Sequence, residues 1–433
     1  MKNIRRSILF CLKLYLNSQL SVLRGRHFTQ QKSRLCTDPM IRAARDIKLG
    51  AKMKNTNGVV RTLLLFALGI SIVAPARSFA QDTGGGDKSG AVFAMTNGVD
   101  KNEIIAFRRN DDGTLQQTRT FETDGRGSGG NVDPLGSQGS LVLSQDRSHL
   151  FAVNAGSGEL SVFRVQGDLL SLEDKVISGG SEPVAVTQHA NLVYVVNAGG
   201  NGNVVGFRWQ YGQLTEIPNS TRFLSASNSA PGSIAFSPDG KFLAVSEKQT
   251  SKLDVFSVQG NGTLTPAVVT PSAGPGEFAI SFAPNGTVLV SETGPAGGVD
   301  ASAISSYAIL SSGALSPISI SIPTLGAATC WQVTTPDGRF VYTANSGTAT
   351  ISGYSIGGNG TLTPLPGTVQ GSNPSGAANI DITISSNGQF LYTLNTGNGT
   401  IGIFAIHKDG SLTNLGSADG LLAAGGFNGI AAN

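Results

Sequence analysis

From Ala91 onward, apolar and polar residues alternate with a period of two in short runs, and each run ends in a turn rich in Gly, Asn, Asp or Pro. That pattern predicts β-strands half buried on one face. One stretch shows the unit plainly: GSIAFSPDGKFLAVSEKQTSKLDVFSVQGNGTLTP, from Gly232 to Pro266. It reads as a short apolar strand, a Pro-Asp-Gly turn at 238–240, a second strand over 242–246 and a third over 253–258. An Asn-Gly turn at 261–262 then opens a fourth.

The same order returns from Leu141, Val184, Ile280, Trp331 and Ile380, which makes six complete units. A seventh is divided between two distant stretches. The run from Ala91 begins at a second strand, and its missing first strand is supplied by 428–432, where Asn-Gly-Ile-Ala-Ala echoes the Gly-Ser-Ile-Ala-Phe of the fourth unit. Such a clasp closes a ring and removes the open edges a linear stack would leave. The expected fold is therefore all-β: a seven-bladed β-propeller of four-stranded blades over 91–433, closed by a C-terminal strand that completes the first blade. With 57 glycines and only 14% charged residues, the composition suits tight turns better than helical repeats.

Strand order also predicts which residues share a rim. The tight first hairpin places second-strand ends beside first-strand starts, opposite the Pro-Asp-Gly turns, on what is here called the upper rim. Second-strand ends contribute Asn97, Asn154, Asn197, Glu247, Glu292, Asn345 and Asn395, one per blade. Asn readily closes turns, whereas Glu has no special turn role, so the two Glu positions stand out. First-strand starts add Gln138, Glu182, Glu277, Cys330, Trp331, Asn379 and Asp381. Glu247, Glu277 and Glu292 fall close in blade order. Clustered carboxylates raise one another's pKa, which suits a general acid or base, or they recruit a divalent cation such as Ca²⁺. A Cys nucleophile needs an activating His or cation; His149, His189 and His407 belong to the lower rim, so Cys330 reads as a small packing residue with Trp331 lining the channel mouth.

Charge changes the picture once the front of the chain is separated. Residues 1–80 hold 15 of the 31 Lys and Arg but only Asp38 and Asp46 among the acids, leaving 16 basic and 26 acidic residues beyond them. An acidic surface repels phosphate backbones and anionic headgroups, which argues against nucleic-acid and membrane partners. From Met53, Lys54 and Arg61 precede an apolar run over 63–74 and then Ser78-Phe79-Ala80. That is the pattern of a secretory signal peptide over 53–80, cleaved after Ala80, followed by a Gly-rich linker over 81–90. Residues 1–52 read as a basic leader upstream of the true start at Met53. Export to the periplasm or outside the cell follows, with a monomer expected because the ring closes on itself. The exported part keeps only Cys330, so no internal disulfide is expected.

The units GSIAFSPDGKFLAVSE and TTPDGRFVYTANSGTATISGYSIGGNGTLTPL resemble the repeats of lactonase and YVTN-type propellers, over nearly all of 91–433. That family includes propeller-type 6-phosphogluconolactonase and carboxymuconate cyclase, both acting on lactone rings. The resemblance implies a site near the axis combining His, Arg and Glu, with a Pro-His pair opening one first strand. The matching stretch here is Gly136-Ser137-Gln138-Gly139. Only the acidic component has counterparts, in Glu247, Glu277 and Glu292. Upper-rim bases are few, chiefly Lys248 and Arg126, which argues against a phosphorylated substrate.

Two functions fit these residues. One is an exported hydrolase opening a neutral sugar or organic-acid lactone, with Glu247, Glu277 or Glu292 as general base or cation ligand. Gln138, Asn154, Asn197, Trp331, Asn345, Asp381 and Asn395 would then bind substrate. The other is a non-catalytic propeller that binds a protein or glycan on the same rim.

Overall fold

The computed structural model describes residues 90–295 and 300–433; the expected leader, signal peptide and nearly all of the linker lie outside them. Seven antiparallel sheets follow one another along the chain. Blade four is representative: Pro231–Phe236, Phe242–Glu247, Lys252–Ser257 and Val268–Pro271 lie side by side in that order. The ring closes as the repeat predicts. Ile430–Ala432 pairs with Ala91–Met95 in the register Val92↔Ala432, Phe93↔Ala431 and Ala94↔Ile430. Two further bonds hold the clasp, from the Asn433 amide to the Ala91 carbonyl and from Arg147 Nη1 to the Ala432 carbonyl, both 2.8 Å.

Blade three departs from the four-strand expectation. Its outer strand is divided into Gln213–Glu216 and Arg222–Phe223, both paired with Asn203–Gln210. Pro218 lies in the gap and has no N–H to give the ladder. There the Ser220 hydroxyl takes over, accepting from the Gly206 amide (3.0 Å) and donating to its carbonyl (3.2 Å).

The core lies between blades, where inner strands are apolar on both faces because each packs on two neighbours. Tyr194, Tyr342 and Tyr392 hold the same second-strand position, and each donates its hydroxyl to a carbonyl of the following blade: Gly262, Gly410 (2.7 Å) and Gly113 (3.1 Å). Those three glycines have φ of +83°, +86° and +85°, a left-handed turn conformation that a side chain disfavours. One turn geometry thus serves as the acceptor for three inter-blade bonds. Burial keeps all three tyrosines protonated and able to donate.

Candidate functional site

The seven second-strand ends do lie on one rim, and their side chains are at most 1% exposed. They turn into the blades, and five of them, Asn97, Asn154, Asn197, Glu247 and Asn395, bond the segments that cross from one blade to the next. The Thr123 hydroxyl donates to Asn154 Oδ1 (2.7 Å), and Asn154 Nδ2 donates to Ser161 (2.8 Å). Asn197 donates to the Ser178 carbonyl, Asn345 to Ser352 (2.8 Å) and Asn395 to Asn373 (3.0 Å). Asn97 exchanges bonds with Ser128 at 3.0 Å.

In blades four and five the amide is replaced by a carboxyl. Glu247 Oε1 accepts from the Ser225 amide (2.7 Å), and Oε2 accepts from the Ser225 hydroxyl (2.7 Å) and from Thr250. On the neighbouring strand, two positions beyond its register partner Lys252, stands Asp254, where blades two and six carry Ser161 and Ser352. The same Ser225 amide reaches Asp254 Oδ2 at 2.9 Å. Glu292 accepts from Ser305 (2.5 Å) and Ser321 (2.7 Å). Opposite it in register stands Glu277, with no exposed surface and no well-aligned hydrogen bond at either oxygen, although Ser251 and the Lys252 amide lie close enough to favour its charged form. Burial raises all three of the acids with resolved shifts: Asp254 to about 7, with the Glu247 charge adding to the effect, Glu277 to about 8, and Glu292 in the same direction.

First-strand starts are shaped differently. In blades three to seven the pairing slips by a β-bulge at this point, between Pro183 and Ala185, Pro231 and Ser233, Glu277 and Ile280, Thr329 and Trp331, and Asn379 and Ile382. A bulge re-aims the side chains beside it, commonly next to binding sites. The residue entering each bulge has positive φ: Glu182 (56°), Ala230 (48°), Gly276 (73°), Ala328 (54°) and Ala378 (47°). Four of the five are not glycine, so a strained backbone recurs around this rim.

Inside this ring, residues 133–138 cross the channel mouth as a strap. The Trp331 indole donates to the Ser137 carbonyl (3.0 Å), the Ser137 hydroxyl to the Val184 carbonyl (2.8 Å), and the Gln138 amide to the Gly232 carbonyl (2.8 Å). Gln138 reaches blade six from blade two: its Nε2 donates to the Gln332 carbonyl (2.8 Å), and its Oε1 accepts from the Gln332 amide (3.1 Å). Asp381 is 3% exposed and pushed up to about 7 by burial; it accepts from the Ile382 and Ile430 amides and, at 3.4 Å, from Gln138. The sequence offered no signal for the strap beyond its glycines.

The cation of the mouth is Lys248, half-buried, 4.9 Å above the Phe278 ring, with its ammonium on the Gly136 carbonyl. Burial lowers its pKa, opposed in decreasing order by Asp133, Cys330, Glu182 and Glu277. Cys330 is buried, as a packing residue would be, and Lys248, one of the few upper-rim bases, lies close enough for the two charges to interact. Asp133 is held by Asn428 (3.1 Å) and the Gly136 amide (3.0 Å). Glu182 is exposed and opens onto a rim cleft of about 450 Å³ shared with Ser128, Ser157, Ile177 and Ser181. Among the described residues, no group of three or more His, Cys, Asp and Glu is placed to hold a metal ion. His149 lies on the lower rim, bonded to Glu173 (2.9 Å) and Ser148 (2.7 Å).

Residues 202–293 match the family described as Lactonase, 7-bladed beta-propeller. No curated protein matches the chain by sequence. Among solved structures, a candidate 6-phosphogluconolactonase of Bacteroides uniformis is similar at 19% identity and TM-score 0.62, covering 80% of this chain and 99% of its own. One from Bacteroides fragilis gives 17% and 0.60, with 81% and 99% covered. The periplasmic gluconolactonase of Pseudomonas aeruginosa gives 18% and 0.59, with 76% and 96% covered. At these identities the structural likeness establishes the fold, and the resemblance carried by the repeats is met by both the family match and the architecture.

Proposed function

From a seven-bladed propeller that resembles the lactonase type in both repeat and fold, we infer a hydrolase that opens neutral, unphosphorylated sugar or organic-acid lactones at the upper channel mouth. The observation that carries this reading is Lys248: a desolvated ammonium already bonded to a carbonyl oxygen, that of Gly136, and ringed by acids. A lactone carbonyl presents the same acceptor. Lys248 would polarise it while Glu182, the exposed carboxylate beside the cleft, takes a proton from the attacking water. The new C–O bond forms at the carbonyl carbon, the ring C–O bond breaks, and the ring oxygen leaves with a proton as the hydroxyl of the open acid.

Lys248 is one ammonium, itself lowered by burial, and offers little to hold a phosphate dianion, which supports an unphosphorylated substrate. Glu247, Glu277 and Glu292, buried as they are, suit support of the mouth better than contact with substrate. Export rests on the pattern over 53–80 and is in keeping with the periplasmic gluconolactonase among the similar structures. The closed ring favours a monomer.

A second reading, a binding propeller for a protein or glycan, is favoured by one feature. Val99, Ile177, Phe223, Leu325 and Leu422, on five different blades, are 56–74% exposed at chain positions that lead onto this rim. Hydrolysis of unphosphorylated and phosphorylated lactones by the purified protein separates the two readings. Turnover of the unphosphorylated set that falls at least 100-fold in Lys248→Met, with folding intact, supports the enzyme. Rates equal to buffer across the panel favour the binding module.

A further inference from the structure

Several blade crossings are pinned by a group at a second-strand end, and in blades two and six that group works with a neutral Ser partner that reaches the crossing carbonyl: Asn154 with Ser161, which donates to Thr123, and Asn345 with Ser352, which donates to Thr324. An amide has both a donor and an acceptor, so such a pair is complete at any pH. Blade four puts Glu247 and Asp254 in those two places. Both are fully buried, and both accept from one N–H, that of Ser225, at 2.7 and 2.9 Å. Two carboxylates crowded onto one donor repel unless a proton lies between them. Asp254 Oδ1 has no other partner.

We propose that Glu247 and Asp254 form a proton-operated latch: one shared proton holds the Ser225 crossing against blade four, and losing it releases that crossing. The groups facing the pair are few. Thr250 and Ser225 donate to Glu247, and Lys252, whose Nζ is 3.3 Å from Ser225 Oγ, is the cation facing Asp254 and favours its ionised form. From blade five, Glu277 reaches toward Ser251 and the Lys252 amide and adds a further acid to the surroundings. Asp254 is displaced upward, to about 7, so the latch works across neutral pH.

Release travels to the channel mouth through the backbone. The crossing continues to Ser229 and Ala230, whose carbonyls accept from the Gln249 and Lys248 amides at 3.1 and 3.2 Å. Two residues on, the Gly232 carbonyl holds the Gln138 amide of the strap. The segment the latch secures therefore positions both Lys248 and Gln138. The latch itself does not depend on the lactone reading; only an effect on turnover does.

The test is hydrogen exchange at the Ser225 amide in the full chain between pH 5.5 and 8.5, corrected for intrinsic exchange. The expected result is protection that falls at least tenfold as pH rises, following a single proton with a midpoint near 7. Asp254→Asn and Glu247→Gln each restore an amide–acid pair that needs no shared proton, so either variant is expected to keep protection flat. If one fails to fold, the other carries the test. A flat profile in the wild-type protein overturns the latch. So does a pH-dependent loss that persists in the folded variant, which would assign the event to Asp381, Glu277 or Asp133. Lactone turnover is measured separately, so failure of the lactone reading leaves the exchange result intact.

Discussion

Replacing Glu277 by Gln is expected to stabilise the protein at alkaline pH while changing little in acid. Glu277 is fully buried, faces Glu292 in register and is pushed up to about 8, chiefly by desolvation. Its folded pKa lies above its unfolded value of about 4.5, so the stability it contributes is fully present below about pH 4.5 and is lost as pH rises through about 8. At about 1.4 kcal/mol per unit, the displacement of roughly 3.5 units sets an upper bound near 5 kcal/mol. That displacement already includes the relief from Ser251 and the Lys252 amide; local relaxation lowers the figure, leaving about 2–4 kcal/mol between pH 5 and pH 9. Gln has the shape of the protonated acid and no charge to bury. Equilibrium denaturant unfolding of wild type and Glu277→Gln at pH 5, 7 and 9 reads the difference directly. The reasoning is refuted if the gap between the two proteins is the same at all three pH values, or if Gln is the less stable by more than about 1 kcal/mol throughout, since either result means that the buried carboxylate is ionised and well solvated by the protein.

Two further outcomes follow from the clasp and the strap. Removing residues 428–433 strips the inner strand from blade one, deletes Asn428 from Asp133 and exposes a strand edge; loss of the cooperative unfolding transition and light scattering from aggregates are expected. Trp331→Phe leaves the buried Ser137 carbonyl without its donor, at a cost of about 1–3 kcal/mol on chemical unfolding, and raises hydrogen exchange at the strap amide of Gln138.

The blade repeat, its sevenfold count and its closure were legible because strand alternation and turn chemistry are local properties of the chain. The rim assignment was legible too, since antiparallel order alone places Asn345 and Trp331 at the same end of a sheet. Side-chain direction was not. A bulge at the start of a first strand shifts the alternation by one residue, and neither Thr329-Cys330-Trp331 nor Asn379-Ile380-Asp381 carries a mark of it in composition. Nor does a Glu at a strand end declare whether it faces solvent or the Ser225 crossing; that depends on a residue 22 positions away. The strap, whose bonds reach blades three, four, six and seven and Asn428 beside the clasp, depends on contacts up to 295 residues apart. Glycines at 136 and 139 read only as loop.

The clasp also bears on how such a ring can be re-cut. Gly90 and Asn433 flank one strand pair, and the Asn433 amide meets the Ala91 carbonyl at 2.8 Å, so the two stretches meet within a single sheet. A short peptide could join them, and new ends could be opened at another inter-blade crossing, moving the divided blade from position one to any other without altering a strand register. Circular permutants cut in this way would share one set of native contacts but differ in which pairing forms last. Comparing their folding rates would turn the closure into a measure of what it costs to shut the circle.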